Sequence, residues 1–157
     1  MYTIRKTYKI EYAHQLKSAY TACCHETIHG HSGVVEVFFA SDVLDENNMV
    51  IDFGYISEII KKFIVGHYDH ALWIPMSFDK EYINCLKKYN KKLFLTEENP
   101  TAEFFARGMF LTIVELISKI ISKNNNRNFY VKSVRFHETE TGYAEFDPYE
   151  NPVTDGV

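Results

Sequence analysis

A chain of 157 residues is the size of one domain, at ~100–200 residues per domain. Its 46% hydrophobic and 24% charged residues lie close to the globular average, which excludes a disordered or low-complexity polypeptide. A net charge of −4 excludes an overall basic footprint for nucleic acid, and 7 His with 15% aromatic residues direct the search to metal ligands.

Residues 2–14 alternate in part, with Tyr8, Ile10, Tyr12 and His14 on one side of a strand and Lys9, Glu11 and Ala13 on the other. Residues 15–28 show no period and read as a loop. Strand character returns over residues 29–40 through Val34, Val35, Val37, Phe38 and Phe39. Leu44–Asn48 is a turn, followed by a short apolar extension, Met49–Ile51. From Phe53 the period becomes helical. Ile56, Ile59, Ile60, Phe63 and Ile64 form the stripe, Asp52 stands at its cap and Gly66 at its stop.

Residues 71–98 are mixed, with Lys80–Tyr89 suited to a short helix between loops. A second long helix then starts, with Asn99 as cap, Pro100 at the first helical position and Glu103 in the first turn. Its stripe of Phe105, Met109, Thr112, Ile113, Leu116 and Ile120 ends near Ser122. Asn124–Asn128 reads as a connector, residues 129–137 as a strand, Gly142 as a turn and Tyr143–Phe146 as a last strand. The order strand, strand, helix, helix, strand, strand predicts an α+β fold, a four-stranded antiparallel sheet with two main helices on one face. The domain is expected to span residues 1–146, with a polar, loosely packed tail over 147–157. Such an open sheet needs its edges covered, or paired with another subunit.

The three cysteines, Cys23, Cys24 and Cys85, are odd in number and two are adjacent. That is a poor disulfide framework and fits a reducing compartment. Met1–Lys6 lacks the apolar core of a signal peptide, and no apolar run approaches the ~18 residues of a membrane-spanning helix. A cytoplasmic protein without nucleic-acid or membrane partners is expected.

His29-Gly30-His31 is the sharpest local signal. Residues i and i+2 of a strand project from one face, so two imidazoles stand side by side, near enough to share a metal ion. His14 ends the first strand and reaches the same point if that strand pairs with the second. Three His with an open fourth position is the usual catalytic zinc arrangement. A His-x-His also arises by chance on strands, and the adjacent Cys23 and Cys24 offer a rival structural site, although they lack the usual C-x2-C spacing.

The run Cys23-Cys24-His25-Glu26-Thr27-Ile28-His29-Gly30-His31 resembles the signature of the 6-pyruvoyl-tetrahydropterin synthase and 6-carboxy-tetrahydropterin synthase family, a catalytic Cys, a spacer and then His-Gly-His. Further segments match in order. Ala13-His14 resembles the family's first zinc ligand, Met49–Phe53 its entry into the first helix and Asp69-His70 its catalytic pair. Asn99–Glu103 resembles its second helix start, and His137-Glu138-Thr139 its pterin-anchoring Glu-Thr.

The resemblance implies the tunnelling fold (T-fold), in which three subunits join their sheets into a barrel and two barrels stack into a homo-hexamer. It implies 7,8-dihydroneopterin triphosphate as substrate and Zn²⁺ held by His14, His29 and His31 as a Lewis acid toward the substrate's side chain. Cys23 becomes the base that removes a side-chain proton, and Asp69 and His70 the proton relay. Glu138 becomes the pterin anchor, its carboxylate matching the ring's N–H donors. Thr101, Glu103 and Thr139 are further candidates for that pocket. Their alternatives are helix capping for the first two and a solvated strand end for Thr139. Cys85 reads as a packing residue, and His25, His67 and His137 take no role.

The spacing departs from one branch of the family. The 6-carboxy branch places its Cys with three residues between it and His-Gly-His, where this chain has His25, whereas the five-residue spacer of the 6-pyruvoyl branch selects Cys23. Glu26 stands three residues before His29, as in a variant that cleaves the side chain to 6-hydroxymethyl-dihydropterin for folate synthesis, so the motif carries two candidate bases. The Met49–Phe53 and Asn99–Glu103 segments look more like the 6-carboxy branch of the queuosine pathway, which makes that activity the favoured one. The 6-pyruvoyl and 6-hydroxymethyl products are the alternatives, and a non-catalytic pterin-binding module is the reading from another class. Residues 74–98 make a longer connection than compact members have, and either line the pocket mouth or cover a sheet edge.

Overall fold

Strand β1 (Tyr2–His14) and strand β2 (His29–Ser41) pair antiparallel along their whole length, from Tyr2 opposite Ser41 to His14 opposite His29. This long hairpin is the spine of the computed structural model, which describes residues 1–121 and 129–150. Tyr8, Ile10 and Tyr12 of β1 and Val35, Val37 and Phe39 of β2 are buried on one face, as the period-two pattern requires. The loop between the strands carries a single helical turn, α1 (Ala22–His25).

Helix α2 (Phe53–His67) and the 20-residue helix α4 (Ala102–Ile121) pack on that face. Ile56, Ile60 and Ile64 of α2 and Phe105, Met109 and Ile113 of α4 are buried there. Phe105, 1% exposed, lies between the rings of Tyr12, Tyr68, Trp73 and Phe136 at centroid distances of 5.3, 5.8, 5.3 and 5.0 Å. Each such pair contributes about 0.5–1.5 kcal/mol beyond the burial of area.

The sheet has six strands, not four, and it is mixed. Strand β5 (Phe129–Thr139) pairs with β2 and β6 (Gly142–Phe146) with β5, both antiparallel. Strand β3 (Ala71–Pro75) lies parallel to β1, and β4 (Leu93–Thr96) parallel to β3, giving the order β4-β3-β1-β2-β5-β6. The two additional strands come from the segment that reads as mixed in the sequence. All five residues of β3 are buried. Ala71 and Trp73 enter the main core, while Leu72 and Ile74 meet Ile83 and Leu86 of helix α3 (Lys80–Tyr89) on the opposite face. A strand covered on both faces shows no alternation, so its period is silent. The two main helices share one face as expected, and α3 covers part of the other.

Several local expectations need correcting. Asp52 does cap α2, accepting the Tyr55 N–H at 2.9 Å. The helix then runs through Gly66 to His67. Helix α4 starts at Ala102 with Thr101 before it, whose hydroxyl accepts the Phe104 N–H at 3.3 Å. Asn99 instead clamps the β1–β2 loop, accepting the Lys17 N–H at 2.8 Å and donating to the Ser18 carbonyl at 3.0 Å. Of the short apolar extension Met49–Ile51, Ile51 is buried. Cys85 is exposed and so is not a packing residue. The start of the expected loose tail is folded into a turn, with Asp147 accepting the N–H groups of Tyr149 and Glu150. The side chain of Ile120, the helix end near Ser122, the 124–128 connector and residues 151–157 lie outside the described residues.

Candidate metal centre and catalytic loop

The register that places His14 opposite His29 also places His31 opposite Tyr12, on the core side of the β1–β2 hairpin. The three imidazoles converge. Their ring centroids are 4.5, 5.1 and 5.0 Å apart, and one ring nitrogen from each lies within 4.8 Å of the others. His14 Nε2 stands 3.0 Å from His29 Nε2.

The outer nitrogens are tied to backbone carbonyls. His14 Nδ1 lies 2.7 Å from the Pro100 oxygen and His29 Nδ1 lies 3.2 Å from the Thr27 oxygen. A carbonyl only accepts, so each Nδ1 carries the proton and each Nε2 offers a lone pair to the shared point. His31 Nε2 is buried with no hydrogen-bond partner. Burial holds the pKa values of His14 and His31 below the ordinary imidazole value, which favours the neutral, ligating form. Convergent lone pairs, fixed tautomers and an orphaned buried nitrogen fit a metal ion held by these three residues.

Glu138 stands against this cluster. Its Oε1 is 3.5 Å from His14 Nε2 and 4.0 Å from His31 Nε2, and it accepts a hydrogen bond from the Tyr12 hydroxyl at 3.2 Å. Burial, and after it Glu138, push the Tyr12 phenol well above the ordinary tyrosine value, so its hydroxyl remains a donor. The sequence signalled Tyr12 only as a core residue. The hydroxyl's partner, 126 positions along the chain, was not visible in it.

Cys23 and Cys24 sit on α1 and Glu26 directly follows it. Cys23 is exposed, with its Sγ 3.7 Å from Thr21 Oγ1 and 3.8 Å from Cys24 Sγ. Glu26 is exposed as well. This turn is anchored from below. The Leu16 N–H donates to the Cys24 carbonyl at 3.0 Å, and buried Gln15 donates to the His25 carbonyl at 2.8 Å. Gln15 in turn accepts from the Tyr82 hydroxyl of α3 at 2.5 Å.

Asp69 and His70 form a pair at 2.9 Å, in the turn between α2 and β3. The backbone of Glu11 clamps that turn. Its N–H donates to Asp69 Oδ1 at 2.8 Å, and its carbonyl accepts the His70 N–H. Lys92 donates to the Asp69 and Val65 carbonyls. His70 adopts a left-handed backbone, φ 54°, which is uncommon outside glycine and marks a conformation held by its surroundings. The hydrogen bond from the Glu11 N–H is the main cause that holds the Asp69 carboxyl below the ordinary carboxylate value, with His70 and Lys92 adding to it.

The His70 side chain is 77% exposed and borders a groove of about 630 Å³. Glu11 and Ala13 line it from β1, and Tyr89, Asn90, Lys91 and Lys92 line it from the segment after α3. Glu11 and Ala13 point to the face opposite Tyr12 and His14. The hydrogen bonds of the Asp69–His70 pair therefore run to Glu11 and Lys92, and none reaches Cys23 or the imidazole cluster. Of the remaining sequence candidates, Thr101 caps α4, Glu103 is exposed in its first turn, and Thr139 is exposed at the end of β5. Residues 74–98 both extend the sheet and line the groove.

Comparison with known proteins gives a family and a shared fold. The family model described as 6-pyruvoyl tetrahydropterin synthase matches residues 3–149. A Helicobacter pylori protein named 6-carboxy-5,6,7,8-tetrahydropterin synthase is 35% identical over 95% of this chain and 75% of its own length. A Rickettsia conorii protein of the same name is 31% identical over 90% of this chain and 99% of its own. Among solved structures, an uncharacterized protein of Wolinella succinogenes superposes with a TM-score of 0.70 at 22% identity, covering 93% of this chain and 97% of that one. The 6-pyruvoyltetrahydropterin synthase of Plasmodium vivax, solved as a catalytic-residue mutant, gives 0.65 at 15% identity, with 93% and 98% covered.

Proposed function

This chain belongs to the 6-pyruvoyl tetrahydropterin synthase family, and we propose that it is a zinc-dependent 6-carboxy-5,6,7,8-tetrahydropterin synthase acting on 7,8-dihydroneopterin triphosphate. The observation that carries the reading is the convergence of His14, His29 and His31, each of the first two with its Nδ1 tied to a carbonyl. A zinc ion bound there supplies Lewis-acid polarisation of the substrate's side-chain oxygens.

The protein's own groups move the protons. Cys23, exposed on its anchored turn, is the proposed base. Asp69, kept ionised, fixes the His70 ring through Nδ1 and leaves Nε2 to exchange protons. That imidazole faces outward on the far side of β1 from the metal ligands, so the proposed pocket lies between subunits of a homo-oligomer, a hexamer of stacked T-fold barrels. Of the two carboxylates proposed for the pterin ring, Glu103 is exposed at the start of α4, while Glu138 is engaged with Tyr12 and the imidazoles. Ring recognition is assigned to Glu138, whose carboxylate matches the ring's N–H donors, with Glu103, Thr101 and Thr139 as further candidates for that pocket. A cytoplasmic location is part of the proposal; no helix among the described residues is long and apolar enough to cross a membrane.

A second reading rests on Glu26, an exposed carboxylate on the same turn as Cys23. Acting as base there, it would direct cleavage to 6-hydroxymethyl-dihydropterin. Product analysis of wild type, Cys23→Ala and Glu26→Ala with zinc and 7,8-dihydroneopterin triphosphate separates the two. The proposal expects 6-carboxy-tetrahydropterin from wild type and from Glu26→Ala, and none from Cys23→Ala. Unchanged products from Cys23→Ala would remove Cys23 as base. Tight pterin binding without turnover by wild type would leave a binding module instead.

A further inference from the structure

We propose that Gln15 and Tyr82 are positioning residues, through which helix α3 holds the peptide units between Cys23 and Glu26 in place for proton removal. This rests on reading that turn as the carrier of the base, and it gives the long 74–98 connection a part in the reaction.

The turn does not hold itself. Helix α1 has four residues, buries none of them and has no side-chain hydrogen bond at its N-cap. A single helical turn is far too short to be stable in isolation, so its place is set by what grips it from outside. Two carbonyls between the candidate bases are gripped. The Leu16 N–H takes that of Cys24, and the Gln15 side chain takes that of His25. Holding a carbonyl holds the plane of its peptide, and the His25 carbonyl belongs to the peptide that leads into Glu26.

Gln15 is fitted to one arrangement. It is 7% exposed, and its own N–H donates to the Trp73 carbonyl of β3 at 3.3 Å. The His25 carbonyl only accepts, so the Gln15 amide turns its NH₂ group to it and its oxygen away. That oxygen accepts the Tyr82 hydroxyl of α3 at 2.5 Å. The loop meets the same segment again at Lys17, whose Nζ stands 4.5 Å from the ring centroid of Phe78. Phe78 and Tyr82 pack on each other at 5.2 Å and on the cluster of Leu72, Ile74, Ile83 and Leu86 that fastens α3 to β3. A contiguous chain thus runs from that cluster through Tyr82 and Gln15 to the catalytic turn.

The test uses the full chain with zinc, and 7,8-dihydroneopterin triphosphate as substrate. Tyr82→Phe removes one hydroxyl and touches neither the three imidazoles nor the candidate bases. It is expected to lower kcat about 10–100-fold, with KM and bound zinc at wild-type levels. Amide hydrogen exchange over residues 22–26 is expected to quicken, while that of β1 and β2 stays unchanged. Gln15→Met cuts the same chain at its other end and is expected to lower kcat at least as much, with the double variant matching Gln15→Met alone. A wild-type kcat or unchanged exchange in Tyr82→Phe overturns the proposal. So does a rise in KM alone, which would make α3 a wall of the pocket, or a loss of kcat that merely follows lost zinc. Losses that add in the double variant also overturn it. If Tyr82→Phe melts early, Gln15→Met is read by the same measures, with wild-type kcat again overturning the proposal. A protein carrying both Cys23→Ala and Glu26→Ala separates the two readings. Full activity there removes the turn as carrier of the base, whereas its loss beside a wild-type kcat in Tyr82→Phe removes only the positioning assigned here.

Discussion

The two halves of the proposed machinery are built in opposite ways. The imidazole cluster lies on the core side of the hairpin, with the His14 side chain only 2% exposed and its outer nitrogen tied to a carbonyl. The Asp69–His70 pair lies beyond the other face of β1, with an imidazole 77% exposed and a clamp made of backbone groups and one lysine. The first half is complete within one chain, which suits the proposed metal, whose ligands need orienting before it arrives. The second presents its imidazole, the proposed proton-transfer group, outward, as a residue does when its substrate is held partly by something else. The comparison teaches that one chain folds both halves without joining them.

The largest expected effect breaks the buried half. His14→Ala removes a ligand and its carbonyl anchor, and is expected to abolish stoichiometric Zn²⁺ and lower kcat/KM by about a thousandfold or more, from the loss of several kcal/mol of charge stabilisation. Metal analysis together with a steady-state assay checks both. Breaking the exposed half has a different signature. Asp69→Asn leaves the imidazole unoriented, and is expected to lower kcat by about a hundredfold while zinc content stays at the wild-type level.

The smallest effect concerns how the exposed half is fastened to the core. Tyr68, next to Asp69, stacks on Trp73 at 4.9 Å, and burial pushes its phenol up to about 12. The folded value exceeds the unfolded value of 10.0, so this stabilisation is complete below pH 10 and is lost as the pH rises toward 12. Wild type is expected to lose roughly 2 kcal/mol more than Tyr68→Phe over that window, measured by denaturant unfolding at a series of alkaline pH values. Identical curves would show that the turn does not depend on this phenol.

What could be read in the sequence divides along similar lines. The hairpin faces, the α2 stripe and the Asp52 cap follow from local periodicity and turn chemistry, and the histidine cluster follows from spacing plus one strand pairing. Strands β3 and β4 were silent. Burial on both faces erases alternation in β3, and β4 has only four residues, paired in parallel with a strand from across a helix. At the second long helix, Asn99 and Thr101 are both good caps by residue type. Contacts of Asn99 with Lys17 and Ser18 decide between them, and a local reading does not contain those contacts. Glu138 was legible as a candidate carboxylate. Its place against His14 depends on a register shift and on a tyrosine two strands away.

The central claim is that a metal half from one chain works with a relay half from another. Mixing His29→Ala chains with His70→Ala chains, after dissociation and reassembly, tests it most directly. Each variant alone is expected to be inactive. In a one-to-one mixture joined through head-to-tail contacts, about a quarter of the sites would combine an intact metal half with an intact relay half. The account therefore predicts activity near that fraction of wild type. A mixture as inactive as its parents, with both proteins folded and co-assembled, would contradict it.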